Sequence, residues 1–250
     1  MINKLIILAA GKGTRLRPVT NNIPKCLTPV GGKSILEWQI EVAQKCGIKE
    51  IIVVGGYKKE KIDFPNIKVL SNDFFETTNM VESLKCAAEE FNGGFILSYG
   101  DIIYEESVLK GMMNVKHDIV IAADMDWEEY WSERFEDPLS DAETFKFGKN
   151  DTVAELGQKP KNFDEIESQY IGLLSFSIDG SRTLKNWFSK NYVDKNMYLT
   201  DMLDMLIKNG EKVNAYKIYR GWLEIDNLKD LEIAESATRY DELGALKIIK

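Results

Sequence analysis

Short apolar, β-branched runs recur at Leu5–Leu8, Ile51–Val54, Ile67–Leu70, Phe95–Ser98 and Ile119–Ala123. Unbroken apolar stretches of this length, bounded by turn residues, read as buried strands. Between them the apolar period lengthens to that of helices. Ser34-x-x-Glu37 is a capping box that opens a helix carrying Ile35, Trp38, Val42 and Cys46, with Gly47 as its stop. Asn79-x-x-Glu82 opens a second, with Leu84, Ala87, Ala88 and Phe91 on one face and Asn92-Gly-Gly94 at its end. The alternation predicts a doubly wound α/β fold with a mostly parallel, mixed sheet. Residues 124–147 break the rhythm and read as an insertion over the sheet. Strands at Val153–Leu156, Tyr170–Ile178 and Val213–Tyr219 follow, with helices at Ser181–Phe188, Thr200–Ile207 and Leu228–Tyr240. No repeat or linker interrupts the chain, so residues 1–250 are expected to form one domain.

Composition narrows the class. A chain of 250 residues can bury about three-quarters of its unfolded surface, enough for a core without staples. A net charge of −8 disfavours nonspecific nucleic-acid binding. Cys26, Cys46 and Cys86 lack metal-ligand spacing and read as reduced thiols. The apolar start is about five residues long before Gly11, too short for a signal peptide or a span. The expectation is a cytoplasmic protein that enters no membrane. Its oligomeric state is not readable.

The chemistry concentrates where the first strand ends. Leu8-Ala-Ala-Gly-Lys-Gly-Thr-Arg15 is a small-residue loop of exposed backbone N–H groups, and Lys25 follows in Ile23-Pro-Lys-Cys-Leu-Thr-Pro-Val30. Backbone donors beside two cations suit a polyphosphate. Lys12 stands directly between Gly11 and Gly13, so the spacing of a P-loop fails. Leu16 occupies the third glycine of the dinucleotide fingerprint, and Gly55-Gly56 stands where a ribose-binding acid would follow the second strand. A nicotinamide oxidoreductase is therefore disfavoured.

From Leu8 to Val30 the chain resembles the sugar-phosphate nucleotidyltransferase superfamily, whose members begin L-A-A-G-x-G-T-R-L-x-P-x-T…P-K-x-L-x-P-V. The resemblance implies a Rossmann-like nucleotidyltransferase fold. It also implies that Leu8 and the backbone of Ala9, Ala10 and Gly11 meet the nucleobase and ribose. Gly13, Thr14 and Arg15 would hold the leaving pyrophosphate, and Lys25 the phosphate under attack. Asp101, after Tyr99-Gly100, stands at a strand end where a carboxylate would hold Mg²⁺ against the triphosphate. Otherwise it is a solvated strand-end acid. Trp222-Leu-Glu224-Ile-Asp226 resembles the late E-I-D segment that supplies the second metal ligand, although Asp226 could instead cap the helix that follows. Gln158-Lys159-Pro160 resembles the E-K-P element whose lysine holds the acceptor's phosphate, with Gln in place of Glu.

The stretch Asn79-Met-Val-Glu-Ser83-Leu resembles the small cytidylyltransferase branch, whose acceptors include phosphocholine, aminoethylphosphonate and phosphoglutamine. That implies CTP as donor, with Asn79, Ser83, Tyr57 and Gly100 near the nucleotide; Asn79 would read the cytosine edge through its amide or else serve only as a helix cap, and UTP stays open as donor because an amide can turn over to suit either pyrimidine. Residues 124–147 hold nine acids and six aromatics against Arg134 and Lys146. Such a surface suits a cationic or zwitterionic head group, with Asp124, Trp127, Trp131, Arg134 and Glu224 about the acceptor. The alternative is an acidic lid packed on the sheet. A hexose-1-phosphate nucleotidyltransferase is the competing activity. His117, the only histidine, is read as structural, because an anionic phosphate nucleophile needs no general base.

Overall fold

The central sheet comprises β1 (Lys4–Ala9), β2 (Glu50–Gly55), β3 (Ile67–Ser71), β4 (Phe95–Tyr99), β5 (Ile119–Asp124), β6 (Gln169–Phe176) and β7 (Val213–Ile218). A computed structural model describes residues 2–242 and 244–249 and orders these strands β7-β5-β6-β4-β1-β2-β3. β1 runs parallel to β2 and β4, β2 to β3, and β5 to β7. Only β6 is antiparallel to its neighbours, β4 and β5. The sheet is mixed and mostly parallel, as its sequence pattern implied.

All six residues of β1 are buried, which explains its unbroken apolar run. Alternate side chains enter different cores. Leu5 and Ile7 join Trp38 of α1 (Ile35–Lys45), Leu109 of α3 (Glu106–Asn114), Trp131 of α4 (Trp127–Arg134) and Ala234 of α7 (Leu228–Ala237). Ile6 and Leu8 join Leu84 of α2 (Met80–Lys85), Leu184 of α5 (Ile178–Lys190) and Leu203 of α6 (Leu199–Lys208). Helices thus cover both faces. Among the described residues none is long and apolar enough to cross a membrane.

The chain lays down β2 and β3 on one side of β1 and then returns to place β4 on the other. This reversal opens a crevice above the carboxyl ends of β1 and β4, the place where ligands bind in such sheets. A short antiparallel pairing of Ile102–Tyr104 with Trp222–Glu224 crosses beside it. That pairing was not legible, since each segment has only three residues.

Several boundaries differ from expectation. The capping box of α1 is not among them, since it forms as expected, with Ser34 Oγ accepting from Glu37 N–H at 3.2 Å and Glu37 accepting from Ser34 N–H at 2.7 Å. α2 stops at Lys85, and its apolar stripe continues through a 3₁₀ turn at Ala88–Glu90. β6 ends at Phe176 because Ser177 caps α5, accepting from Asp179 and Gly180 N–H. α7 ends at Ala237, and Thr238–Tyr240 pairs instead with Leu246–Ile248. The stretch 124–147 packs on one face of the sheet, the alternative named above. Its helix α4 buries Trp127, Tyr130 and Trp131 in the first core.

Candidate active site

The crevice is a cleft of about 320 Å³. Leu8, Ala9, Ala10, Gly11, Gly13, Thr14 and Arg15 form one wall, and Asn79 and Ser83 lie on another. Gly100 and Asp101 close it towards β4, with Lys25, Glu224 and Asp226 at one end. Gly13 has φ +61°, the left-handed conformation that favours glycine, and its carbonyl accepts from Thr20 Oγ1 at 2.6 Å. Gly100 is required for another reason: a Cβ there would lie 2.6 Å from the Leu8 carbonyl oxygen and 3.0 Å from Ala9 Cα.

Three chain segments converge at the charged end. Buried Gln39 on α1 donates from Nε2 to the carbonyls of Tyr99, at 2.8 Å, and Ile102, at 2.5 Å, clamping the turn that carries Asp101. Ile225 N–H donates to the Asp101 carbonyl at 2.9 Å, joining that turn to the Glu224–Asp226 segment. Asn227, not Asp226, caps α7 by accepting from Lys229 and Asp230 N–H. The Asp226 carboxylate is thereby left for the cleft. Lys25 Nζ donates to Asp101 Oδ2 at 2.6 Å and also to Asp226 Oδ1. Arg15 Nη2 donates to Asp226 Oδ2.

Burial opposes the charge of Lys25, but Asp101 and Asp226 outweigh it and raise its pKa. Burial likewise works against ionised Asp226, yet Lys25 and Arg15 draw its pKa below the usual value. Glu224 is pushed up to about 7 by burial, with Arg134 acting against the rise and the neighbouring acids adding to it.

Oxygens of Asp101, Glu224 and Asp226 lie within 4.8 Å of one another. Asp101 Oδ1 is buried without a hydrogen-bond partner among the described residues. A hard-oxygen donor set with an unmatched carboxylate oxygen fits Mg²⁺.

Other expected site residues lie elsewhere. Asp124 is fully buried and spent on the fold, accepting from Arg220 N–H at 3.0 Å and Trp222 Nε1 at 2.8 Å. Trp127 and Trp131 are core residues, each 4% exposed, because their indoles are the apolar face that anchors α4. Arg134 is 3% exposed and forms a two-pronged bond to Asp230, at 2.9 and 3.0 Å. It also pairs with Glu224 at 2.6 Å, so it offers no free cation to an acceptor. Lys159 lies outside the cleft, donating from Nζ to the carbonyls of Leu139 and Ser140. Tyr57 is also absent from the lining and donates to the Asn21 carbonyl at 2.8 Å; Phe75 stands in the wall beside it. Asn79 lines the cleft, but both ends of its amide are engaged. Oδ1 accepts from Met80 N–H at 2.9 Å and Nδ2 donates to the Asn196 carbonyl at 3.2 Å.

Sequence reasoning passed over Thr78, Tyr99 and Phe75, which line the cleft, and buried Asp230, which ties Arg134 to the Asp226 backbone N–H. Asp230 carried a faint signal. It lies three residues after a good cap, Asn227, at a point where an acid faces the core.

A family model for the MobA-like NTP transferase domain matches residues 5–139. The chain is 37% identical to a CTP:phosphoglutamine cytidylyltransferase of Campylobacter jejuni, over 91% of this chain and 97% of that protein. It is 38% identical to a choline-phosphate cytidylyltransferase of Streptococcus pneumoniae over 41% of this chain and 46% of that protein. In fold it resembles an inositol-1-phosphate CTP transferase from T. maritima, with a TM-score of 0.75 at 20% identity, covering 92% of this chain and 91% of that one.

Proposed function

Because this chain belongs to the MobA-like NTP transferase domain family, we propose that it is a CTP-dependent cytidylyltransferase. It would move CMP onto the phosphate or phosphonate of a small cationic or zwitterionic acceptor, with release of pyrophosphate. The observation that carries this reading is the meeting of Lys25 with Asp101 and Asp226 beside the 9–15 loop. One nucleotide-sized cleft then holds backbone donors for phosphates, two cations for transferring charge and acids for a divalent ion.

Asp101 and Asp226, with Glu224 beside them, would hold Mg²⁺, which supplies neutralisation of triphosphate charge. Arg15 would steady the departing pyrophosphate oxygens while the backbone of Gly11, Gly13 and Thr14 cradles them. Lys25 would stabilise charge on the α-phosphate as the acceptor's oxygen bonds to phosphorus and the bond to pyrophosphate breaks. The acceptor oxygen is anionic near neutral pH, so no proton has to be removed. Positioning and electrostatics therefore account for catalysis. Lys159 would reach the acceptor's phosphate only after leaving the carbonyls of Leu139 and Ser140.

The rings that would face the acceptor lie outside residues 124–147. Tyr99 lines the cleft and meets Tyr170 edge to face at 5.8 Å. Electron-rich rings suit an ammonium group. The relative that spans most of the chain is named for phosphoglutamine, and we place a phosphorylated amino acid or amine first among acceptors.

Lys25→Ala tests the assignment. Losing a group aimed at transition-state charge should lower kcat by about 100-fold or more with a smaller change in KM for CTP. Near-normal turnover would overturn the role of Lys25.

A further inference from the structure

Beside the cleft, Asn72 lies in the turn after β3, 3% exposed, with its N–H donating to the Gly55 carbonyl at 2.8 Å. The orientation of its side-chain amide is forced. Phe74 N–H donates to Oδ1 at 3.0 Å, and a backbone N–H can face only the oxygen end. Nδ2 therefore points the other way, donating to Thr78 Oγ1 and to Ser83 Oγ, each at 3.0 Å.

Both residues line the cleft, and each hydroxyl oxygen is occupied by an incoming N–H. Thr78 sends its own proton to the Phe74 carbonyl at 2.9 Å. Ser83 is 5% exposed, and no described residue accepts its proton. With Asn72 on one side and the body of α2 behind it, the direction left for that proton is the cleft.

We propose that Asn72 is a positioning residue that fixes Ser83 as a hydrogen-bond donor toward the base, and so selects cytosine over uracil. The proposal rests on the cytidylyltransferase reading. Cytosine offers acceptors at O2 and N3. Uracil keeps the O2 acceptor but carries a proton on N3, so a donor held against that edge meets another donor. Leaving one buried donor unmatched disfavours the wrong base by about 10- to 100-fold.

The test measures kcat/KM for CTP and UTP, and calorimetric binding of each nucleotide, in the wild type, Asn72→Asp, Ser83→Ala and the double variant. Asn72→Asp puts acceptor oxygens where Nδ2 stood. The Ser83 proton then turns to the introduced carboxylate, and the lone pair of Ser83 faces the base. The CTP-to-UTP ratio should fall by about tenfold or more in Asn72→Asp and in Ser83→Ala. Asn72→Asp should change it little further once the Ser83 hydroxyl is gone.

A folded Asn72→Asp enzyme with an unchanged ratio overturns the proposal. If that variant does not fold, Ser83→Ala decides: a collapsed ratio supports the donor and an unchanged one refutes it. A wild type that uses CTP and UTP alike also refutes the inference while leaving nucleotidyl transfer intact. Absence of CTP turnover in the wild type overturns the parent reading before any variant is compared.

Discussion

Arg134→Met removes the cation at the centre of the most buried charge network beside the cleft. Arg134 and Asp230 have side chains 1% and 0% exposed, whereas Glu224 is 23% exposed. The cost therefore falls mainly on Asp230. In the wild type its carboxylate accepts from Arg134 Nε and Nη2, Asp226 N–H and Asn227 Nδ2. Without the guanidinium it keeps two neutral donors but loses the only cation paired with it among the described residues. Breaking a buried ion pair from one side destabilises by about 3–5 kcal/mol. For a chain of this length that corresponds to a fall in Tm of about 6–20 °C. Arg134→Lys keeps the charge but not the fork, so its loss should be smaller. Urea and thermal unfolding followed by circular dichroism would measure both variants. A methionine variant within about 1 kcal/mol of wild type would refute the argument, since the acids would then not depend on Arg134.

Two further outcomes follow from the same geometry. Gly100→Ala sets a methyl against the Leu8 carbonyl and Ala9 Cα, backbone that cannot yield without shifting the nucleotide wall. It should reduce kcat/KM for the nucleotide by about tenfold or more, steady-state kinetics being the check. Glu143 is held protonated up to about 7 by burial, with Asp201 and Asp141 adding to the effect, against an ordinary 4.5. The folded state thus binds more protons between those values, and this group's contribution to stability falls as pH rises through them. Glu143→Gln should stabilise the protein at pH 8 and do nothing below about pH 4.5 in chemical denaturation. A gain of equal size at both pH values would contradict this.

The loop side of the cleft was legible because it is local. Gly11, Gly13, Thr14, Arg15 and Lys25 sit within one run of the chain, and Asp101 is marked by its place at a strand end. Asp226 was legible only as one of two alternatives, and what separated them was a neighbour, Asn227, that does the capping. That Trp127, Trp131 and Arg134 lie in the core and not in the cleft has a physical reason. Trp127, Trp131 and Arg134 are the residue types of a binding surface, but they are equally those of a helix that anchors by indoles and braces buried acids. Composition cannot tell which face of α4 meets the core. Tyr99 was missed because the expected strand stopped at Ser98 and left it as a link to Asp101, whereas β4 runs on to Tyr99. Asn72 was missed because the role proposed for it depends on where its amide points, which the Phe74 N–H reveals.

The central claim is cytidylyl transfer to a charged small acceptor. Its most direct test is pyrophosphate release by the wild-type chain with each of the four nucleoside triphosphates and Mg²⁺. Each would be paired with phosphoglutamine, phosphocholine, aminoethylphosphonate and glucose-1-phosphate. Turnover with CTP and an amine-bearing acceptor is expected, at least about tenfold above any hexose-1-phosphate pairing. Equal or faster turnover of UTP with glucose-1-phosphate would contradict it.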